Sequence, residues 1–423
     1  NRRCLYFNLP FVQQRKTIMS VFEGRAWIAN QGLLDVSIEV DNGYISSVKK
    51  TNSNPDKEKV NGLILPAAMD MHVHFRDPGY PHKEDWKTGS DSAACGGVTA
   101  VVDMPNTNPF TSNLSLFKEK EQIAKNKSVV DFGIGINVEE KLTEQEWFDT
   151  VPAAFWKLYP YGISSDDYFR LAREVLEKTK KPLVIHCEHP DYMHNNPLEK
   201  LSDHTENRLI AEEKCLSAMP SSEYLHVAHL STSNGLKNLP ALSSTEVCPH
   251  HLLLNLDNCS SLDCKVDPPL RNISDNNNLY DAYRNGKIPV LASDHAPHTI
   301  EEKRSDTPPS GMPGVETMIP LMLQEVVEKR LDLSRLVNSM SEAPAERLGL
   351  NRGKIEKGQP ADFMFVDLNN SEKIKTERLH SRANWTPFED WKAIFPHKVF
   401  RRGELISENS EVVSNGGGIN LFD

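Results

Sequence analysis

Apolar positions along the chain fall into short β-branched runs that alternate with stretches of helical spacing. The runs lie at 63–69, 98–103, 129–136, 153–158, 183–186, 224–229, 245–248 and 288–293. Between them the pattern predicts helices at about 112–126, 165–179, 204–218, 276–285 and 316–330, the last ending in charged residues as a solvent-facing helix does. Eight such alternations predict an α/β fold, a closed parallel (β/α)8 TIM-type barrel.

Both flanks read differently. Upstream, 25–29, 37–40 and 44–48 are strand-like, with a turn at Asp41-Asn42-Gly43. Downstream, 353–367 repeats that texture, and Gly358-Gln359-Pro360 forms the turn before an apolar run at 363–366. The economical expectation is one small β-sandwich domain built from both chain ends, 19–62 and 346–423, with a barrel at 63–345 between them. Residues 1–18 carry Arg2, Arg3, Arg15 and Lys16 with no proper apolar segment between, and are expected to be an extension outside the fold.

Composition narrows the class. The 423 residues are 38% hydrophobic and 25% charged, as in an ordinary soluble globular protein. Lys+Arg number 48 against 59 Asp+Glu, a net charge of -11 spread along the chain. Such a surface repels phosphate backbones, so no nucleic-acid partner is expected, although a local cationic pocket for a small anion remains allowed. No apolar run approaches the roughly 18 residues that cross a bilayer, so no membrane partner is expected. Seven cysteines, an odd number without a C-x-x-C pair, suggest scattered thiols in a reducing, cytoplasmic compartment.

In a parallel barrel the functional side chains gather at the C-terminal ends of the strands. The first strand runs into His72-Val73-His74, and period-two geometry puts both imidazoles on one side. The fifth ends at His186, the sixth at His229, and the eighth runs into Asp294. A lone histidine after a strand is more often a hydrogen-bonded loop residue. Four of them with a strand-end carboxylate form a donor set that zinc accepts. Lys157, within the apolar fourth strand, is an ammonium where desolvation penalises charge. Either it snorkels out of the barrel, or it is neutralised, for example by reaction with carbon dioxide to a carbamate that bridges two metals.

The runs Asp70-Met71-His72-Val73-His74-Phe75-Arg76-Asp77-Pro78-Gly79, Met104-Pro105-Asn106-Thr107 and Ser293-Asp294-His295-Ala296-Pro297-His298 resemble the dihydroorotases of the amidohydrolase superfamily. Gly353 to Asp362 looks like that superfamily's return to its small β domain, and the likeness extends from about 20 to 420. H-x-H alone marks the superfamily, whereas H-x-H-F-R-D-P-G joined to M-P-N-T is specific to dihydroorotases.

The resemblance implies zinc-dependent, reversible hydrolysis of dihydroorotate to N-carbamoyl-aspartate in pyrimidine synthesis. It implies two Zn2+ per subunit: His72 and His74 on the more buried ion, His186 and His229 on the more exposed one. N6-carboxylated Lys157 and a hydroxide would bridge them, and Asp294 would ligate the first zinc and handle protons. Arg76, Asn106 and His298 would hold the substrate carboxylate. Arg76 could instead form a surface ion pair with Asp77 or Glu84, and His298 could cap a loop. Ser310 opens a run similar to the family's ring-contacting loop. Asp267 stands where the family often has Asn and could pair with Arg271. Ala228 replaces the Cys that helps some animal relatives bind a third zinc. A homodimer and association with aspartate transcarbamoylase also fit the resemblance. The alternatives are another cyclic amidohydrolase, such as a hydantoinase, dihydropyrimidinase or allantoinase, and an inactive scaffold homologue.

Overall fold

The computed structural model of the protein describes residues 20–51, 59–139, 151–194 and 196–423, with the side chains of 59–61 left out. The extension expected at 1–18 lies outside the described residues. Strands β1 (Ser20–Ile28), β2 (Gly32–Asp41), β3 (Tyr44–Lys50) and β4 (Lys59–Pro66) come first. The barrel strands follow: β5 (Ala68–Val73), β6 (Val98–Asp103), β7 (Asp131–Ile134), β8 (Ile136–Asn137), β9 (Trp156–Leu158), β10 (Leu183–Ile185), β11 (Leu225–Val227), β12 (Ser244–Val247) and β13 (Val290–Leu291). Neighbours pair in parallel from β5 to β7 and from β8 to β13. A parallel bridge between Val73 and His295, with the His74 amide donating to the His295 carbonyl at 2.8 Å, closes the ring.

Gly135 divides the third barrel strand into β7 and β8, which pair with β6 and β9 respectively. A Cβ at Gly135 would stand 2.4 Å from the Phe155 ring, so a larger residue could not make this switch in place. Along the strands, alternate side chains part to two faces. Trp156, Leu158, Leu183, Ile185, Leu225 and Val227 pack outward with helical Tyr168, Leu171 and Val175. Ala100, Val102, Phe155, Val184 and Val290 join a second cluster with Ala345 and Leu348. Lys157 and His186 continue the Phe155 and Val184 positions at period two, so the polar residues occupy the upper end of the inner face.

The expected first strand at 63–69 is two elements. β4 pairs with β1 and with β14 (Phe363–Val366) in the sheet of the chain ends, and the barrel begins only at β5. Continuous apolar character hid the junction. The break falls at Pro66, which has no amide hydrogen, and Ala67, whose amide leaves the ladder for the Asp362 carbonyl at 3.1 Å. The helix expected at 204–218 is likewise divided into Leu201–Glu206 and Ala211–Ala218. The turn between them carries Arg208 inward to Glu188, 2.6 Å away.

A small hairpin pairs β15 (Glu372–Lys373) with β16 (Lys392–Ala393). The sheet of the chain ends is completed by β17 (Lys398–Arg401), β18 (Glu404–Glu408) and β19 (Glu411–Val412), in the order β19-β18-β17-β14-β4-β1-β2-β3. Ala26, Ile38, Ile64, Phe363, Phe365 and Phe400 form one cluster on it, closed edge-on by Phe22. No helix among the described residues is long and apolar enough to cross a membrane. Cys95, Cys187, Cys215 and Cys248 are free and buried. Cys259 and Cys264 are joined in a disulfide, a departure from the expectation of scattered thiols. A 3-10 turn at Leu262–Cys264 brings their Cα atoms to 6.2 Å.

Candidate active site and metal centre

Eleven candidate residues named from the sequence line one cavity of about 250 Å³ at the C-terminal rim of the barrel. His72, His74 and Arg76 come from the end of β5, Asn106 from beyond β6, and Lys157 from β9 itself. His186 and His229 follow β10 and β11, Asp267 lies in the loop after β12, and Asp294, His298 and Ser310 follow β13. Arg76, His229 and Asp294 hold positive φ angles of 63°, 37° and 46°. Such backbone is tolerated by Asp but costly for Arg76 and His229, where it persists because the surroundings over-determine it, commonly at functional sites.

Asp294 Oδ1 lies 3.2 Å from His72 Nε2 and 3.1 Å from His74 Nε2. Donor atoms of His72, His229 and Asp294 all fall within 4.8 Å of one another, and the His186 and His229 rings are 4.6 Å apart. The other ring nitrogen of each first-strand histidine is already engaged: Nδ1 of His72 bonds the Glu246 carboxylate, and Nδ1 of His74 donates to Asn106 Oδ1 at 2.6 Å. That arrangement turns Nε2 of both rings towards Asp294 Oδ1, the shared direction that oriented metal ligands require. Burial lowers the pKa of His72, His74 and His229, so the imidazoles are neutral with open lone pairs.

Lys157 is fully buried, and its Nζ has no hydrogen-bond partner among the described residues. It does not snorkel out. Burial pulls its pKa down from 10.5 to about 8. The donor set therefore fits a divalent-metal centre, with Lys157 beside it as an amine that lies over the Tyr159 ring, 5.1 Å from its centroid, and has no hydrogen-bond partner among the described residues.

Next to this centre is a cationic corner. Arg76 is buried rather than paired at the surface; its Nε donates to the Pro297 carbonyl at 3.2 Å and its Nη2 to His298 Nε2 at 3.1 Å. Lys83 Nζ lies 3.1 Å from the other His298 nitrogen. Burial first, then Arg76 and Lys83, keep that imidazole neutral. The corner offers a forked cation to a small anion in an otherwise acidic protein.

Asp267 does not pair with Arg271. It accepts from His204 Nε2 at 2.8 Å and from the Tyr161 hydroxyl at 3.0 Å, with Arg208 Nη2 at 3.4 Å. Burial works against its charge, but His204 and Arg208 outweigh that and hold the carboxyl well below its usual range. Arg271 instead reaches Ser231 and the Arg208 carbonyl, because the divided helix carries that carbonyl to it.

Four supporting residues are not singled out by the sequence. Tyr159 and Tyr161 line the cavity, and the buried Tyr159 hydroxyl has no partner among the described residues. Asp70 accepts the amides of both His72 and Ser293 at 3.1 Å, tying the first barrel strand to the last. Glu246 is fully buried and gathers His72, the His226 ring at 3.2 Å and the His229 amide at 3.3 Å. An acid inside the apolar strand β12 carried the same signal as Lys157. Burial would push the Glu246 pKa up, but His72 and His226 dominate and hold it well below the usual range of 4.5. Its stabilisation is thus present above about pH 4.5 and is lost as pH falls further. Glu246→Gln is expected to flatten that acid-side loss of stability and weaken metal binding about 10- to 100-fold, read by thermal melts against pH and by chelator competition.

The barrel, the strand-end donor set and the terminal sheet define a class, metal-assisted hydrolases built on a (β/α)8 scaffold. The model of the amidohydrolase family matches residues 63–406. The chain is 36% identical to a dihydroorotase of Methanosphaera stadtmanae over 419 residues, covering 89% of this chain and 94% of that protein. It is 34% identical to a dihydroorotase of Pyrococcus abyssi over 409 residues, covering 93% and 96%. Among solved structures, an L-hydantoinase (dihydropyrimidinase) from Arthrobacter aurescens superposes with a TM-score of 0.84 at 23% identity, covering 94% of this chain and 98% of that one. A dihydropyrimidinase from Brevibacillus agri gives 0.83 at 20%, covering 95% and 98%. These two share the fold. The chain belongs to the amidohydrolase family and, within it, to the dihydroorotases.

Proposed function

We propose that this chain is a zinc-dependent dihydroorotase, interconverting (S)-dihydroorotate and N-carbamoyl-L-aspartate in pyrimidine synthesis. The observation that carries the reading is the meeting of a buried imidazole and carboxylate donor set and the Arg76 corner in one small cavity. The substrate is a cyclic amide bearing a carboxylate, and it needs both.

His72 and His74, with Asp294, would hold one zinc; His186 and His229 the other; carboxylated Lys157 would bridge them. When bound, the metal would supply Lewis acidity and a more acidic water at this site. Arg76, with Asn106 and His298, fixes the substrate carboxylate and so orients the ring amide. The Asn106 Oδ1 is occupied by His74, which leaves its amide hydrogens for the substrate. Asp294 takes a proton from the attacking water and delivers it to the ring nitrogen as the C–N bond breaks, and the reverse sequence closes the ring. Burial raises the Asp294 pKa, which suits a group that must accept a proton and release it again. Asp267 and Ser310 would line the ring side of the pocket.

The reading is tested by assaying purified protein for both directions of the dihydroorotate reaction while counting zinc. Faster hydrolysis of neutral hydantoins than of dihydroorotate would replace it with the hydantoinase alternative, and less than one zinc per chain would favour the scaffold. Arg76→Met is expected to lower kcat/KM for dihydroorotate about a hundredfold or more while leaving dihydrouracil, which lacks the carboxylate, near its wild-type rate. The reading extends to a cytoplasmic homodimer that associates with aspartate transcarbamoylase, which sedimentation with and without that enzyme would test.

A further inference from the structure

Directly after β12, and outside the donor set above, Cys248, His250 and His251 are all buried, and one donor atom from each lies within 4.8 Å of the others. Two of their nitrogens, His250 Nε2 and His251 Nδ1, are buried without a hydrogen-bond partner among the described residues. A buried polar atom left unsatisfied is costly and calls for an explanation. The His251 ring supplies one: its Nε2–H donates to the Pro268 carbonyl at 3.0 Å, which fixes the tautomer and leaves Nδ1 as a bare lone pair. A ring nitrogen donating to a backbone carbonyl while the other stays open is the usual support of a metal-bound histidine. Burial brings the His251 pKa down to about 4, so the ring is neutral.

From this geometry we propose that Cys248, His250 and His251 form a separate site for a borderline-soft divalent cation such as zinc. One thiolate and two imidazoles are a normal zinc donor set, with a fourth position left for a small ligand. Donors around one tetrahedral zinc stand roughly 3.3–3.8 Å apart by its bond lengths, so the group needs to close by about 1.5 Å at most. On binding, the thiol proton passes to solvent and the thiolate balances part of the cation's charge. Pro268 adjoins Asp267, so an ion on His251 would brace the loop that carries Asp267 to the active-site cavity. The other thiol-containing group, Cys95, Glu316 and His380, is internally satisfied: His380 Nε2 faces Cys95 Sγ at 3.8 Å and its Nδ1 bonds Glu316 at 2.9 Å.

The test is the absorption spectrum of protein expressed in cobalt-supplemented minimal medium. The catalytic donor set has no thiolate, so a thiolate-to-cobalt charge-transfer band in the ultraviolet reports a site outside it, whatever becomes of the dihydroorotase reading, and the cysteine variants say which. The band is expected in the wild type at one equivalent per chain, retained in Cys95→Ala and lost in Cys248→Ala, with metal content falling by one ion in the last. Absence of the band from cobalt-loaded wild type overturns the proposal, as does an unchanged band in Cys248→Ala. The wild-type spectrum decides even if a variant fails to fold.

Discussion

Replacing Lys157 with alanine is expected to abolish metal binding and turnover together, with activity falling more than about a thousandfold. The reason starts with burial. An ammonium at this position has no hydrogen-bond partner among the described residues and sits in the inner face of the barrel. Lowering its pKa from 10.5 to about 8 raises the neutral fraction at pH 7 roughly three-hundredfold. Only the neutral amine attacks carbon dioxide, so under the proposed reading desolvation would prepare Lys157 to become the anion between two cations. Zinc reconstitution of chelated wild type should therefore be slow in carbon dioxide-free buffer and restored by bicarbonate. The metal-free Lys157→Ala protein, relieved of an uncompensated buried amine, should melt no lower than the metal-free wild type. A variant that kept two zincs per chain would remove Lys157 from the bridge.

Asp294→Asn is the second large effect, a loss of about 10²- to 10⁴-fold in kcat with KM for dihydroorotate changed far less. Asn keeps the size of the side chain and tolerates the positive φ of 46° as Asp does, so the backbone stays in place. Under the proposed mechanism, what is lost is the proton acceptor, which faces His72 and His74. Asp294 must be ionised to accept a proton, so wild-type kcat falls as pH drops through its raised pKa, whereas the variant lacks that acid limb. Steady-state rates against pH, with zinc counted in parallel, check both parts. Turnover within tenfold of wild type would exclude Asp294 as the proton carrier.

Much of this was legible along the chain because barrel chemistry is written at strand ends. His72, His74, His186, His229 and Asp294 each follow an apolar run, and a parallel barrel has one rim on which such positions converge. Lys157 was visible as a charge where none should be. Glu246 carries the same contradiction, but a single acid in a four-residue strand also resembles an ordinary edge position, so the sequence does not single it out. The split at Pro66 was hidden because Leu63 to Leu65 are apolar whether they face the terminal sheet or the barrel.

The order of residues by itself determined the alternation of β and α elements, the barrel class and the kinds of donor available, because periodicity and residue chemistry are local properties. The pairing of Asp267 with His204 and Arg208, the Glu246 and Asp70 supports, and the isolation of the Lys157 amine were decided only in three dimensions. Each depends on which distant groups share a buried volume and which are left without a partner, and no spacing along the chain encodes that.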